Sequence, residues 1–146
     1  MNLTKRNIKI AYQISHQLSA TIKEDEQLAY HFHKLKDKLE SEVSAIDAGL
    51  TVINDTWIKP DPENKEKYKN TDPVRHLAQL NKYLGEEIEI KYDKIIKVKD
   101  LDEAVKRIGQ QYQDFILTLH TIGFLEIQSL LNDYSIDHQE VKEIIY

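Results

Sequence analysis

Residues 26–57 read EQLAYHFHKLKDKLESEVSAIDAGLTVINDTW, and this stretch decides the fold. Leu28, Phe32, Leu35, Leu39, Val43, Ile46, Leu50, Ile53 and Trp57 follow one another at steps of three or four, the spacing that stacks side chains on one face of an α-helix. At about 1.5 Å per residue, one helix from Glu26 to Trp57 spans roughly 45 Å. The successive four-residue steps Leu35 to Leu39 to Val43 break a strict heptad, so any supercoil relaxes there. A seam of this length needs a partner along it, because most helix stability in proteins comes from packing an amphipathic face.

Upstream, Thr4 to about Ser19 places Ile8, Ala11, Tyr12, Ile14, Ser15 and Leu18 near helical spacing, with Thr4 as N-cap. Downstream, Pro60 and Pro62 stop the long helix, and Asp61 to Thr71 reads as a mobile polar loop. Asp72-Pro73 supplies an N-cap followed by proline at the first helical position. The helix it opens has a stripe of Val74, Leu77, Leu80 and Leu84 and closes at Gly85.

From Glu87 to Val98 the period changes to two: Ile88, Ile90 and Tyr92 alternate with charges, as do Ile96 and Val98. A β-hairpin turning near Asp93-Lys94 is expected, with Glu87 and Glu89 on the same outer face as Lys97 and Lys99. Asp100 with Glu103 forms a capping box opening a helix through Leu101, Val105, Ile108, Tyr112, Phe115, Leu119 and Ile122, which Gly123 bends or ends. Phe124, Ile127, Leu130, Leu131 and Tyr134 continue the apolar face. A second capping box, Asp137 with Glu140, and a staple of Ile136 on Val141 open a short last helix ending Ile144-Ile145-Tyr146.

The expected fold is therefore mainly α: a long antiparallel helical hairpin with a small two-stranded β-hairpin and C-terminal helices packed back on it. It forms one domain over 1–146, in which 1–100 hold the two hairpins and 101–146 a helical extension. Folding at this length buries roughly 68–70% of the unfolded chain's surface, enough for a core without metal or disulfide.

Composition narrows function. The chain has no cysteine, which removes disulfides, iron–sulfur clusters and cysteine nucleophiles and points to a reducing compartment. Its net charge is −5, and phosphate backbones are bound chiefly by excess Lys and Arg, so no nucleic-acid role is expected; Lys91 to Lys99 reads as strand-face charge. No apolar run approaches membrane-crossing length, and the N-terminus enters an amphipathic pattern directly. No membrane role is expected, and the location follows as cytoplasmic or inside a particle.

No catalytic constellation emerges. His31 and His33 sit two residues apart, about 200° around a helix, and cannot chelate one metal; His33 with Asp37 lacks a third ligand. His16, His76, His120 and His138 follow Gln13, Pro73, Leu117 and Ser135 by three residues, so the Glu-x-x-His pair of di-iron bundles is missing. Gly49, Gly85, Gly109 and Gly123 are isolated from one another, three of them inside helical patterns, and build no phosphate loop. Ser15, Ser19, Ser41, Ser44 and Ser129 lie in helical stretches, not on a strained turn. Catalytic, metal and cofactor sites are thus expected to be absent. Eight tyrosines against three phenylalanines suit a contact surface as well as the rim of a small core.

The opening Leu3-Thr4 helix, the long helix through Leu28-Ala29-Tyr30, Lys34-Leu35 and Lys38-Leu39-Glu40, a short helix ending in Leu84, then Glu86-Glu87-Ile88-Glu89-Ile90, Lys94-Ile95-Ile96 and Asp100-Leu101, resemble a family of small bacteriophage and prophage proteins. These are helical-hairpin, loosely prefoldin-like proteins. The chain differs from them in lacking a proline just before the second helix and in continuing after Leu101. The resemblance implies a phage-encoded accessory protein with no catalytic residue to carry over. The expected function is a non-enzymatic protein–protein interaction module, structural or assembly-related, the alternative being an inhibitor of a host enzyme or defence complex. Its partner is a protein: a second copy in a homo-oligomer, or another phage or host protein. A four-turn neighbour cannot cover the far end of the long helix, which makes Leu50, Ile53, Trp57 and Ile58 the expected contact residues.

Overall fold

The structure, a computed structural model, describes residues 1–131. Tyr134, the Asp137–Glu140 capping box, the Ile136–Val141 staple and the expected last helix lie outside the described residues.

Local chemistry fixes the helix ends. Helix α1 (Lys5–Thr21) starts at Thr4, whose hydroxyl accepts the Asn7 N–H at 3.1 Å. Helix α2 covers Glu26–Trp57, the bounds that its periodicity gives, and Asp25 caps it by accepting the Leu28 N–H at 3.0 Å. Helix α1 folds back along α2 after Ile22 to Asp25, so that Lys9 Nζ meets Asp47 Oδ1 at 2.6 Å. Ile8, Ala11, Ile14 and Leu18 join Leu28, Phe32, Leu35, Leu39, Val43 and Ile46 in one buried cluster.

Among the described residues three small two-stranded sheets pin the ends. Strand β1 (Asn2–Thr4) precedes α1, β2 (Ile58–Pro60) and β3 (Tyr68–Asn70) follow α2, helix α3 covers Pro73–Leu84, and β4 (Glu87–Glu89) and β5 (Ile96–Val98) come next. Helices α4 (Leu101–Ile108) and α5 (Gln113–Ile122) are joined by a 3₁₀ turn, and β6 (Leu125–Ile127) follows.

The expected β-hairpin over Glu87–Val98 does not form. Strand β4 pairs antiparallel with β1, placing Leu3 opposite Ile88, while β5 pairs parallel with β6. Between them Ile90 is buried, and Tyr92 stands edge-on to both His31 and Phe124, which carries the chain from one sheet to the other. Opposite charges still meet, but with other partners: Lys97 lies opposite Glu126 in register across β5 and β6, Nζ 3.9 Å from Oε2, and Lys5, just after β1, reaches Glu86, just before β4, at 3.1 Å. Two parallel strands require a crossover, and α4 with α5 supplies it, making 96–127 a βαβ unit.

The stretch after Asp100 is not one helix either. Asp100 Oδ1 accepts the Glu103 N–H at 2.8 Å and Glu103 Oε2 accepts the Lys99 N–H at 2.7 Å, so the capping box forms, displaced by one residue on its return bond. Gly109 at φ 124°, ψ 142° then breaks the helix, and Gly123 at φ 111° ends α5 in the left-handed region that a side chain disfavours. The break separates Ala104 and Ile108 from Ile116 and Leu119, letting both pairs reach the core.

Within the expected loop over 61–71, Tyr68–Asn70 form β3, which pairs antiparallel with β2, and 61–67 make the connecting turn. Asp61 and Asn64 close the turn through their side chains, accepting the Glu63 N–H at 2.9 Å and the Glu66 N–H at 3.2 Å.

Candidate functional site

Helix α3 settles what the far end of α2 presents. Its stripe is rotated from the expected one: His76 is buried, Leu80 and Leu84 are half-buried, and Val74 and Leu77 point outward at 79% and 59% exposure. Burial of a histidine requires satisfying both ring nitrogens. Nδ1 takes a hydrogen bond from Asn70 Nδ2 at 2.8 Å, and Nε2 donates to Asn54 Oδ1 at 2.7 Å, a tautomer assigned from the amide partners. Asn70 is itself oriented because its Oδ1 accepts the Asp72 N–H.

This docking places the four expected contact residues. Ile53 is buried, Leu50 is half-buried against the core, and Trp57 is half-buried with Nε1 donating to Gln79 Oε1 at 2.6 Å. Ile58 is exposed on β2. Helix α3 thus covers most of the seam that a four-turn neighbour leaves open. The exposed apolar residues at this end are Val52 on α2, Ile58 and Tyr68 on the ribbon, and Val74 and Leu77 on α3.

Charge is segregated here. Residues 41–57 hold Glu42, Asp47 and Asp55 with no Lys or Arg, whereas Pro73–Leu84 holds Arg75 and Lys82 with no acid. The outward face of α2 beside Val52 is made of small exposed residues, Ser44, Ala45, Ala48 and Thr51.

A different chemistry sits at the other end of α2. A cleft of about 380 Å³ opens between its first turns and the chain around β5, lined by Tyr30, His31, Lys34, Lys94, Lys97 and Arg107 over a floor of Leu28 and Ile96. Asp25 Oδ2 holds Arg107 through Nε and Nη2, both at 3.3 Å. His31 Nε2 is 3.4 Å from the Tyr92 hydroxyl. Burial pushes His31 below its ordinary value of 6.5, the Lys94 backbone opposes this, and the nearby Lys94 ammonium adds to it. Burial raises Tyr92, with the Asp93 carboxylate acting in the same direction.

Well above pH 6.5 the His31 ring is neutral in both folded and unfolded chains, but as pH falls through 6.5 the unfolded chain takes the proton first, so stability is lost on acidification. Thermal midpoints measured from about pH 7.5 to 5 should fall less for His31→Gln than for the parent, and equal slopes would remove the assignment.

Among the described residues no group of three His, Asp or Glu is placed to hold a metal ion. His33 and Asp37 approach to 3.4 Å on an exposed face, and His120 Nδ1 accepts the Ile127 N–H at 3.1 Å, joining α5 to β6. No helix among the described residues is long and apolar enough to cross a membrane. No family model, no curated protein and no solved structure matches the chain.

Proposed function

We propose that this chain is a non-enzymatic protein–protein interaction module that self-associates through the outward face of α3, and that it serves as a phage-encoded structural or assembly accessory protein in the host cytoplasm or inside a particle. The observation that carries the reading is the pair Val74 and Leu77, one helical turn apart and turned to solvent. Ile58 and Tyr68, on the ribbon that leads into α3, are exposed as well, and exposed large apolar side chains are a usual mark of a contact surface. The phage assignment rests on the resemblance of about residues 1–101 to the prophage family.

The occupant is a second copy of the chain. Helix α3 carries Lys82 and Arg75, the latter 3.5 Å from its N-cap Asp72, and these complement Glu42 and Asp55 of the stretch 41–57, whose small outward residues allow a helix to approach closely. A face that meets a different face on its partner makes a heterologous contact, closing into a two-fold pair only when both contacts form at once.

Sedimentation velocity over a wide concentration range tests this. The parent should associate as concentration rises, and Leu77→Glu, placing a charge at the centre of the apolar pair, should weaken association by about a hundredfold, the ~3 kcal/mol scale of a central contact residue. Leu77 is exposed, so the variant should keep the parent's melting temperature. A strictly monomeric parent, or unchanged association in Leu77→Glu, would overturn the reading.

A further inference from the structure

The cleft at the start of α2 carries a second function, and the geometry points to a binding site for a small organic phosphate, a phosphoryl group attached to a planar or apolar body. It is independent of the α3 face, lying toward the opposite end of α2.

The charge distribution is the first ground. The chain as a whole is acidic, yet the described residues lining this cleft include four cations and no Asp or Glu. Lys34 comes from α2, Lys94 and Lys97 from the chain around β5, and Arg107 from α4, so the fold gathers them from three separate segments. Like charges brought to one concavity repel, and an anion placed among them relieves that repulsion.

Their existing partners make the second ground. Arg107 is held by one carboxylate oxygen of Asp25, whose other oxygen caps α2, so the guanidinium is fixed in place. Lys97 reaches Glu126 only at 3.9 Å across the strand pair. Among the described residues Lys34 and Lys94 form no ion pair; the Lys34 ammonium rests 5.3 Å from the Tyr30 ring centroid. Two flexible ammonium groups beside one fixed guanidinium suit a phosphoryl dianion, for which lysine acts as a point charge and arginine as a directional donor.

Shape decides the rest of the ligand. A volume of about 380 Å³ falls in the range of small-molecule pockets and is too confined for a nucleic-acid duplex, which needs an extended cationic stripe. Leu28 and Ile96 give the floor an apolar area, and the Tyr30 ring, 60% exposed, offers a face on which a flat group can stack. His31, between the Tyr92 hydroxyl and the Lys94 backbone, stands in the cleft wall, and its proton affinity rises when a dianion enters beside it.

Amide NMR titrations of the full chain with sodium phosphate, sodium pyrophosphate and adenosine monophosphate, at constant ionic strength set by sodium chloride, test the site. The expected result is saturable shifts for adenosine monophosphate at Gln27 to Lys34 and Lys94 to Lys97. The affinity should exceed that for inorganic phosphate, and the His31 titration should move upward in the complex. The double variant Lys34→Gln/Lys94→Gln alters two exposed side chains and should weaken binding about tenfold, the loss of one or two charge-assisted contacts. Lys65→Gln, at the turn of the distant ribbon, should leave it unchanged. Pyrophosphate binding as tightly as the nucleotide would overturn the apolar body of the ligand. Shifts that fail to saturate, or that weaken equally in Lys65→Gln, would overturn the site.

Discussion

A chain ending at Lys99 is expected to lose cooperative folding. The cut removes Ile108, Ile116, Leu119, Phe124, Leu125 and Ile127 from the core, and burying side chains of this size contributes about 1.5–3 kcal/mol each. Even the lower figure, over six residues, matches the whole stability of an ordinary domain, about 5–15 kcal/mol. The cut also strips β5 of its β6 partner, uncovers Ile96 and Val98, and leaves Asp25 without the Arg107 guanidinium it holds. Circular dichroism should show no sigmoidal melt, and the truncated chain should aggregate. A monomeric product melting at the parent's temperature would make the region after Lys99 a separate arm.

Gly49→Ala is expected to destabilise by about 1–3 kcal/mol, the scale of overpacking, against the helix-propensity gain of about 1 kcal/mol that the same change brings at an open helical site. The two effects oppose each other, and the neighbourhood decides. A Cβ on Gly49 would overlap the hydroxyl end of Tyr83, which donates to the Ile46 carbonyl at 3.2 Å and lies under Lys5 Nζ, 3.7 Å from its ring centroid. Tyr83 therefore ties α3 to α2 and to the start of α1, and displacing it loosens all three. Urea unfolding of Gly49→Ala, Tyr83→Ala and the double variant measures the coupling. In the Tyr83→Ala background the glycine substitution should become neutral or stabilising, and a Gly49→Ala protein more stable than the parent would remove the clasp.

Much of the helical layout was legible because it is written in short-range chemistry. The steps from Leu28 to Trp57 mark the bounds of α2, and Thr4, Asp72-Pro73 and Asp100 with Glu103 announce helix starts through bonds that reach only three or four residues. Strand pairing is different. Alternation around Ile88 and Ile96 says that a segment is extended but not which strand it meets, and the partners, Leu3 and Leu125, lie far away in the chain. The break at Gly109 was hidden because the apolar spacing continues across it.

The two candidate sites were hidden for related reasons. The periodicity of Val74, Leu77, Leu80 and Leu84 defines an apolar side of α3, but which part is covered depends on the Asn54, Asn70 and His76 network, which rotates His76 inward. The lysines from Lys91 to Lys99 read as strand-face charges, and Lys97 does face Glu126. Their convergence with Lys34 and Arg107 exists only after β5 has been carried to the start of α2.

Self-association through α3 is tested most directly by placing a nitroxide on Ala78→Cys and mixing that copy with a nitrogen-15-labelled parent copy. Ala78 is exposed at the rim of the Val74–Leu77 pair, in a chain that otherwise has no cysteine. Association of α3 with the acidic face of a second copy predicts that intermolecular broadening falls on the amides of Ala45 to Asp55 and disappears when the nitroxide-bearing copy also carries Leu77→Glu. Broadening confined to α5, or none at concentrations where the parent sediments as an oligomer, would contradict it.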